Sequence, residues 1–235
     1  MVLLMSTLER TLGYATRLLS ILRSLDPWRR LLAAFISVNA WSLAHEIELA
    51  WVLFQVTPDI MLKMAESGAL VHVLRGRVRN LGTALRGLCS LAVLSSELEE
   101  VVRWACEDPY AAREWLVRNV YGLGRKGASM FLRDSGVKSV YPLDRHVLRW
   151  TYGVELRKDD MSRIWSSAYR YREAERAFEE KALRVFPELE PALTNVLIFV
   201  SRSGWPLEAV AEYIKCIEFF SSSWRRDVKE RLKVY

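Results

Sequence analysis

One short turn, Gly122-Leu123-Gly124, lies between two helical patterns and constrains this chain more than any other feature. Glycine lacks the Cβ that penalises positive φ, so the pair allows a turn too tight for other residues. The backbone can then come close to a ligand. A helix begins at about Arg125, and its unpaired N–H groups and dipole favour a phosphate. Such a grip holds backbone and carries no base information. A Gly-x-Gly alone also suits an ordinary turn between helices, so the neighbouring residues decide. Lys126 falls in the first turn of the helix, where the positive dipole end and Arg125 disfavour an ammonium. That suits an amine nucleophile; a phosphate-contacting or simply exposed lysine is the other reading. Asp144 follows Pro142 and Leu143, eighteen residues beyond Lys126. It suits an N-cap or first-turn carboxylate. Eighteen residues make one short helix, a turn at Gly136 and a return to the same end. The two side chains can therefore face one cleft.

The rest of the chain must carry this hairpin. Half of its 235 residues are apolar, enough for one large domain or two small lobes. The net charge of +6 permits a polyanionic partner. Its distribution says more. Residues 111–150 hold eight Lys/Arg against three acids, and Arg75, Arg77, Arg79 and Arg86 form a second basic cluster with no acid between them. Three widely spaced cysteines, Cys89, Cys106 and Cys216, fit reduced thiols in a cytoplasmic protein. They exclude a four-cysteine iron–sulfur loop and zinc-finger spacing. His45 and His72 lack partners at metal spacing and read as structural. No signal peptide or transmembrane span is read, so a cytoplasmic, nucleoid-associated location is expected.

The pattern is helical nearly throughout, and the fold class is all-α with nine to eleven helices. Residues 28–56 and 160–184 read as long helical regions, and 69–95 as several helical turns with glycines at 76, 82 and 87. Asp108 and Pro109 mark the N-cap and first position of another helix. Strand signals are weak. A central lobe is expected over 60–155, and a second from 1–59 with 156–235. Trp28, Trp41 and Trp51 read as core.

GLGRKGASMFLRD followed by YPLDRH resembles the helix-hairpin-helix DNA glycosylase superfamily. Within it, KGASMFLRDSG is most similar to the archaeal type of 8-oxoguanine DNA glycosylase/AP lyase. Leu31–Asn39 and Arg77–Asn80 are similar to segments upstream in that family, and Asn195–Gly204 to its terminal helix. Strong matching covers about thirty residues and weaker matching about 170. The resemblance implies a two-lobed fold with the active site between lobes. It implies a nucleophile at Lys126, a catalytic carboxylate at Asp144, and no metal or other cofactor. The partner would be double-stranded DNA with a damaged base, bound by a monomer, with no membrane and no iron–sulfur cluster. Tyr121, Gly122, Leu123, Gly124 and Arg125 would hold a phosphate, with His146 near it. Asn39, Arg77 and Asn80 would also meet the DNA, Asn39 in the gap left by the flipped nucleotide. Val78, Phe199 and Trp205 would serve the base pocket. Val78 stands where the family has an aromatic and Phe199 where it has a tryptophan, and the chain runs thirty-one residues past Gly204. Activity on oxidised pyrimidines, or binding without catalysis, are the rival expectations.

Overall fold

The structure, a computed structural model, describes the backbone of residues 2–201 and 207–232, and the side chains of 9–201 and 208–220. Among the described residues there are fourteen α-helices and no strand. They are α1 (Val2–Ser24), α2 (Pro27–Asn39), α3 (Leu43–Leu53), α4 (Pro58–Glu66), α5 (Ala69–Leu74), α6 (Leu81–Val93) and α7 (Leu98–Glu107). Then come α8 (Pro109–Asn119), α9 (Arg125–Asp134), α10 (Arg145–Tyr152), α11 (Lys158–Ser166), α12 (Ala168–Val185), α13 (Pro191–Ser201) and α14 (Leu207–Leu232).

The helix count exceeds nine to eleven because three expected helical regions are broken at side-chain caps or a glycine. Ser42 accepts from His45 N and starts α3 afresh. Gly76, at φ 77°, turns the chain after α5. Ser167 accepts from Arg170 N and starts α12. Such caps satisfy orphan N–H groups that a helix start leaves over. Asp108 and Pro109 open α8 as expected, with Asp108 accepting from Ala111 N.

Buried side chains gather in two clusters. The larger joins α1–α9 with α13 and α14 and includes Phe35, Phe54 and Phe131. Its wall is built of stripes at helical spacing, such as Ala15, Leu18, Leu19 and Leu22 on α1. The smaller joins α10–α12 around Tyr141, Leu143, Tyr171 and Phe178, with Ile198 from α13. Lys126 thus sits on a helix of the larger cluster, and Asp144 at the start of a helix of the smaller one. Trp28 is buried, and its indole N–H bonds Val56 O. Trp51 packs on Phe219 and Phe220 of α14. Trp41 corrects the sequence reading: it is 58% exposed, because it lies in the α2–α3 connection rather than on a helix face turned to the core.

Candidate active site

The hairpin between α8 and α9 is held from below by α6. Gly122 has φ 74°, and a Cβ there would also lie 2.5 Å from Thr83 Cγ2. Only glycine meets both demands. Tyr121 donates its N–H to Ser90 Oγ, and Gly87 leaves room for the Tyr121 carbonyl. Gly124 is the N-cap of α9 and offers no side-chain cap, so the first N–H groups of this helix are not covered by a capping side chain. The end of α2 reaches the same place: a Cβ on Gly127, next to Lys126, would stand 3.5 Å from Val38 Cγ1.

Lys126 is half-buried in the first turn of α9. Its charge also bears on the His146 imidazole in the first turn of α10, so Lys126 lies within electrostatic reach of that helix start. His146 is held below the usual imidazole range by burial first, then by Arg145, Arg149 and Lys126. Arg125 is turned inward. Its guanidinium binds both oxygens of Glu114 at 2.8 and 2.7 Å and the Trp165 carbonyl at 2.9 Å. Its side chain is therefore committed inside the protein, and its backbone is what it brings to the helix start.

Asp144 is buried and caps α10, its Oδ1 accepting from His146 N at 2.9 Å and Val147 N at 3.0 Å. At the other end of α10, Lys181 donates to the Trp150 and Thr151 carbonyls. The approach to Asp144, residues 141–143, is buried and lies in no helix. Its backbone groups must still be paired, and side chains do it. Tyr141 N donates to Glu175 Oε1, and the Tyr171 hydroxyl donates to Tyr141 O. Asn195 Nδ2 donates to Pro142 O, Leu143 N to the Tyr171 hydroxyl, and Trp165 Nε1 to Leu143 O. Glu175 is itself paired with the fully buried Arg113. Burial pushes the Glu175 carboxyl up to about 7, against the pull of Arg113.

The remaining expected residues fall as follows. Asn39 ends α2, buried, with its amide donated to Phe35 O. A β-bridge between Ala40 and Val78 ties this helix end to residues 77–79, with Trp41 N on Arg77 O and Arg79 N on Asn39 O. Arg77 pairs with Glu48 at 2.8 Å. Asn80 is exposed and caps α6 through Thr83 N. Tyr121 is exposed, with the Arg86 guanidinium 4.2 Å from its ring centroid. Phe199 lines a cavity of about 20 Å³ with Met130, Arg133, Ser37, Glu46 and Tyr213. Met130 and Arg133 share the α9 face of Lys126, one and two turns on. This volume suits one water molecule and not a purine. Val78 is not among its walls, and Trp205 lies outside the described residues. Tyr213 brings the segment beyond Gly204 to this cavity, its hydroxyl bonded to the buried Glu46 carboxylate. Among the described residues no helix is long and apolar enough to cross a membrane, and no group of three His, Cys, Asp or Glu could hold a metal ion.

Sequence reading missed Trp165, Tyr171, Glu175 and Asn195. Two of them carried a signal. Glu175 lies in the apolar stripe Tyr171, Ala174, Phe178 and Ala182, and Thr194-Asn195 interrupts the apolar run of α13. A polar group on a core face must be paired there.

A family model described as 8-oxoguanine DNA glycosylase matches residues 45–185, more than half of the chain. The 8-oxoguanine DNA glycosylase/AP lyase of Thermoplasma volcanium is 39% identical over 93 residues, 40% of this chain and 42% of that protein. That of Picrophilus torridus is 33% identical over 108 residues, 46% and 48% of the two chains. That of Thermotoga petrophila is 57% identical over 42 residues, 18% and 20% of the two. The chain thus matches less than half the length of each of these relatives. The crystal structure of the 8-oxoguanine DNA glycosylase of Thermotoga maritima has a TM-score of 0.57, covering 85% of this chain and 90% of that one at 24% identity, a likeness of fold. With a helix-hairpin-helix at 109–134, Lys126 in the first turn of α9, Asp144 at the start of α10, and a family match spanning both, the chain belongs to the 8-oxoguanine DNA glycosylase family.

Proposed function

We propose that this chain is a bifunctional DNA glycosylase/AP lyase that excises 8-oxoguanine and cuts the strand through Lys126. Duplex DNA lies over the hairpin, with a phosphate at the N-terminal end of α9. The damaged nucleotide is flipped out of the duplex toward Lys126 and Asp144. As the bond from C1′ to the base breaks, the electron pair leaves with the base, and Asp144 stabilises the positive charge developing on the sugar. The neutral Lys126 amine attacks C1′ and gives up a proton, which neutralises the leaving base. Opening of the C1′–O4′ bond, with a proton to O4′, leaves an iminium between C1′ and the lysine nitrogen. Loss of a C2′ proton then expels the 3′ phosphate by β-elimination.

One observation carries this reading. Lys126 opens α9 and Asp144 opens α10, and a hydrogen-bonded path from Arg125 through Trp165 to Leu143 ties the residues just before them. Binding alone needs neither group at such a place. The test is borohydride trapping on a duplex with one 8-oxoguanine. The wild type should give a covalent protein–DNA adduct, and Lys126→Gln none. Undiminished trapping in that variant would assign the chemistry to another amine.

A further inference from the structure

We propose that Trp165 and Tyr171 are positioning residues for Asp144, forming with Asn195 and Glu175 a side-chain cradle that sets the carboxylate for glycosidic bond cleavage. The inference rests on the glycosylase reading above. Residues 141–143 enter the active site without a helix or strand to fix them. Pro142 has no N–H to offer, so five backbone polar groups remain: Tyr141 N and O, Pro142 O, and Leu143 N and O. All five are taken by side chains, at 2.8, 3.2, 3.2, 2.9 and 2.8 Å in that order. The donors and acceptors come from α11, α12 and α13. Three helices therefore converge on three residues whose only outlet is Asp144.

The Tyr171 hydroxyl serves two of these groups, accepting from Leu143 N and donating to Tyr141 O. It is fully buried, which keeps it protonated and able to donate. Trp165 is placed differently. Its indole N–H holds Leu143 O, while its own carbonyl accepts from Arg125 Nη1 at 2.9 Å. Arg125 is in turn clamped by Glu114 on α8. A displacement of the aspartate loop is thus resisted from the helix that bears the lysine. A misplacement of about 1 Å costs on the order of a hundredfold in rate where geometry sets the barrier. Neither side chain needs to touch the substrate to act in this way.

The test separates two steps of one reaction. Breaking the glycosidic bond needs the Asp144 charge; cutting at a preformed abasic site needs Lys126 but has no base to remove. Trp165→Phe removes the indole N–H and keeps an aromatic ring. Its single-turnover excision of 8-oxoguanine should fall about tenfold to a hundredfold, while DNA affinity and cleavage at a preformed abasic site stay at wild-type level. Tyr171→Phe should show the same split, and it serves if the Trp165 variant does not fold. An equal fall in both rates, or intact excision in a folded variant, would overturn the proposal. Wild-type protein that neither excises nor traps would defeat the glycosylase reading instead. Amide hydrogen exchange then still tests the cradle. Exchange at His146 and Val147, whose N–H groups are held by Asp144, should quicken in either variant while Ala128 and Phe131 on α9 stay protected. Unchanged exchange at His146 and Val147 would sink the cradle without reference to activity.

Discussion

Asp144 caps a helix and, in the proposed reaction, carries a charge, and one substitution can separate the two. Its Oδ1 caps α10 through two N–H groups, and its charge is assigned to the reaction. Asn at an N-cap is about as good as Asp, because its carbonyl oxygen accepts the same bonds. Asp144→Asn therefore keeps the cap and loses the charge at a helix N-terminus. That interaction is worth about 0.3–1 kcal/mol when exposed and up to ~2 kcal/mol when partly buried. Asp144 is only 8% exposed, so the upper part of this range applies. A loss of about 1–2 kcal/mol lowers the Tm of a chain this long by roughly 2–8 °C. The charge is far more valuable in the transition state. Removing one preorganised electrostatic partner of a reacting centre costs about 10²–10³ in rate, or ~2.7–4 kcal/mol. Asp144→Ala instead strands both N–H groups and should cost about 0.5–2 kcal/mol more in stability than Asn. The assay is single-turnover excision of 8-oxoguanine read after alkaline strand cleavage, alongside thermal unfolding and DNA binding by anisotropy. The expected pattern is a collapse of excision in both variants, with Tm lowered in both and further in the Ala variant. An Asn variant that is folded and excises at the wild-type rate would reduce Asp144 to a helix cap.

Gly87→Ala should lower Tm, since its Cβ would lie 2.3 Å from Phe35 Cζ and 2.5 Å from the Tyr121 carbonyl; overpacking costs about 1–3 kcal/mol against about 1 kcal/mol of helix propensity. Gly82→Ala, whose Cβ would lie 3.7 Å from the capping Asn80 Oδ1, is the control, and equal stability of the two would refute the close packing. Arg113→Met leaves Glu175 buried without its partner and should cost about 3–5 kcal/mol in a denaturant titration. Glu175 binds its proton more tightly folded than unfolded, so its contribution falls as pH rises from about 4.5 through about 7. The damage in the Arg113 variant should therefore be greater at pH 8 than at pH 6, and a pH-independent loss would count against the buried ion pair. His146 has the opposite sign: its folded imidazole binds a proton less tightly than the ordinary value of 6.5, so stability should be lost as pH falls below that value. His146→Gln should flatten this limb of the stability profile, and an unchanged slope would place the titration elsewhere.

Local chemistry was legible in the sequence, and it covers more of the site than the distances involved would suggest. The cap at Asp108 with Pro109 and the cap position of Asp144 rest on side-chain bonds of short span, and the turn at 122–124 is closed locally by Leu123 N on Val120 O, although α6 also supports it through Ser90. Residue type and spacing decide such bonds before any fold exists. The eighteen-residue return from Lys126 to Asp144 follows from one helix and one turn. The break at Ser42 was hidden, because an apolar pattern runs on across a cap when both flanking helices are buried. What surrounds the site belongs to the tertiary structure. Trp165, Tyr171, Glu175 and Asn195 reach residues 141–143 from 22 to 53 positions away. Arg125 reads as a DNA contact from its place in the motif, and only the fold sets Glu114 and the Trp165 carbonyl against its guanidinium. Trp41 reads as core by its apolarity, and only the α2–α3 connection and its bridge to Val78 turn it outward. The physical reason is common to these cases. A helix start is encoded by the residues that make it, whereas the direction and partner of a long polar or aromatic side chain depend on which distant helix packs beside it.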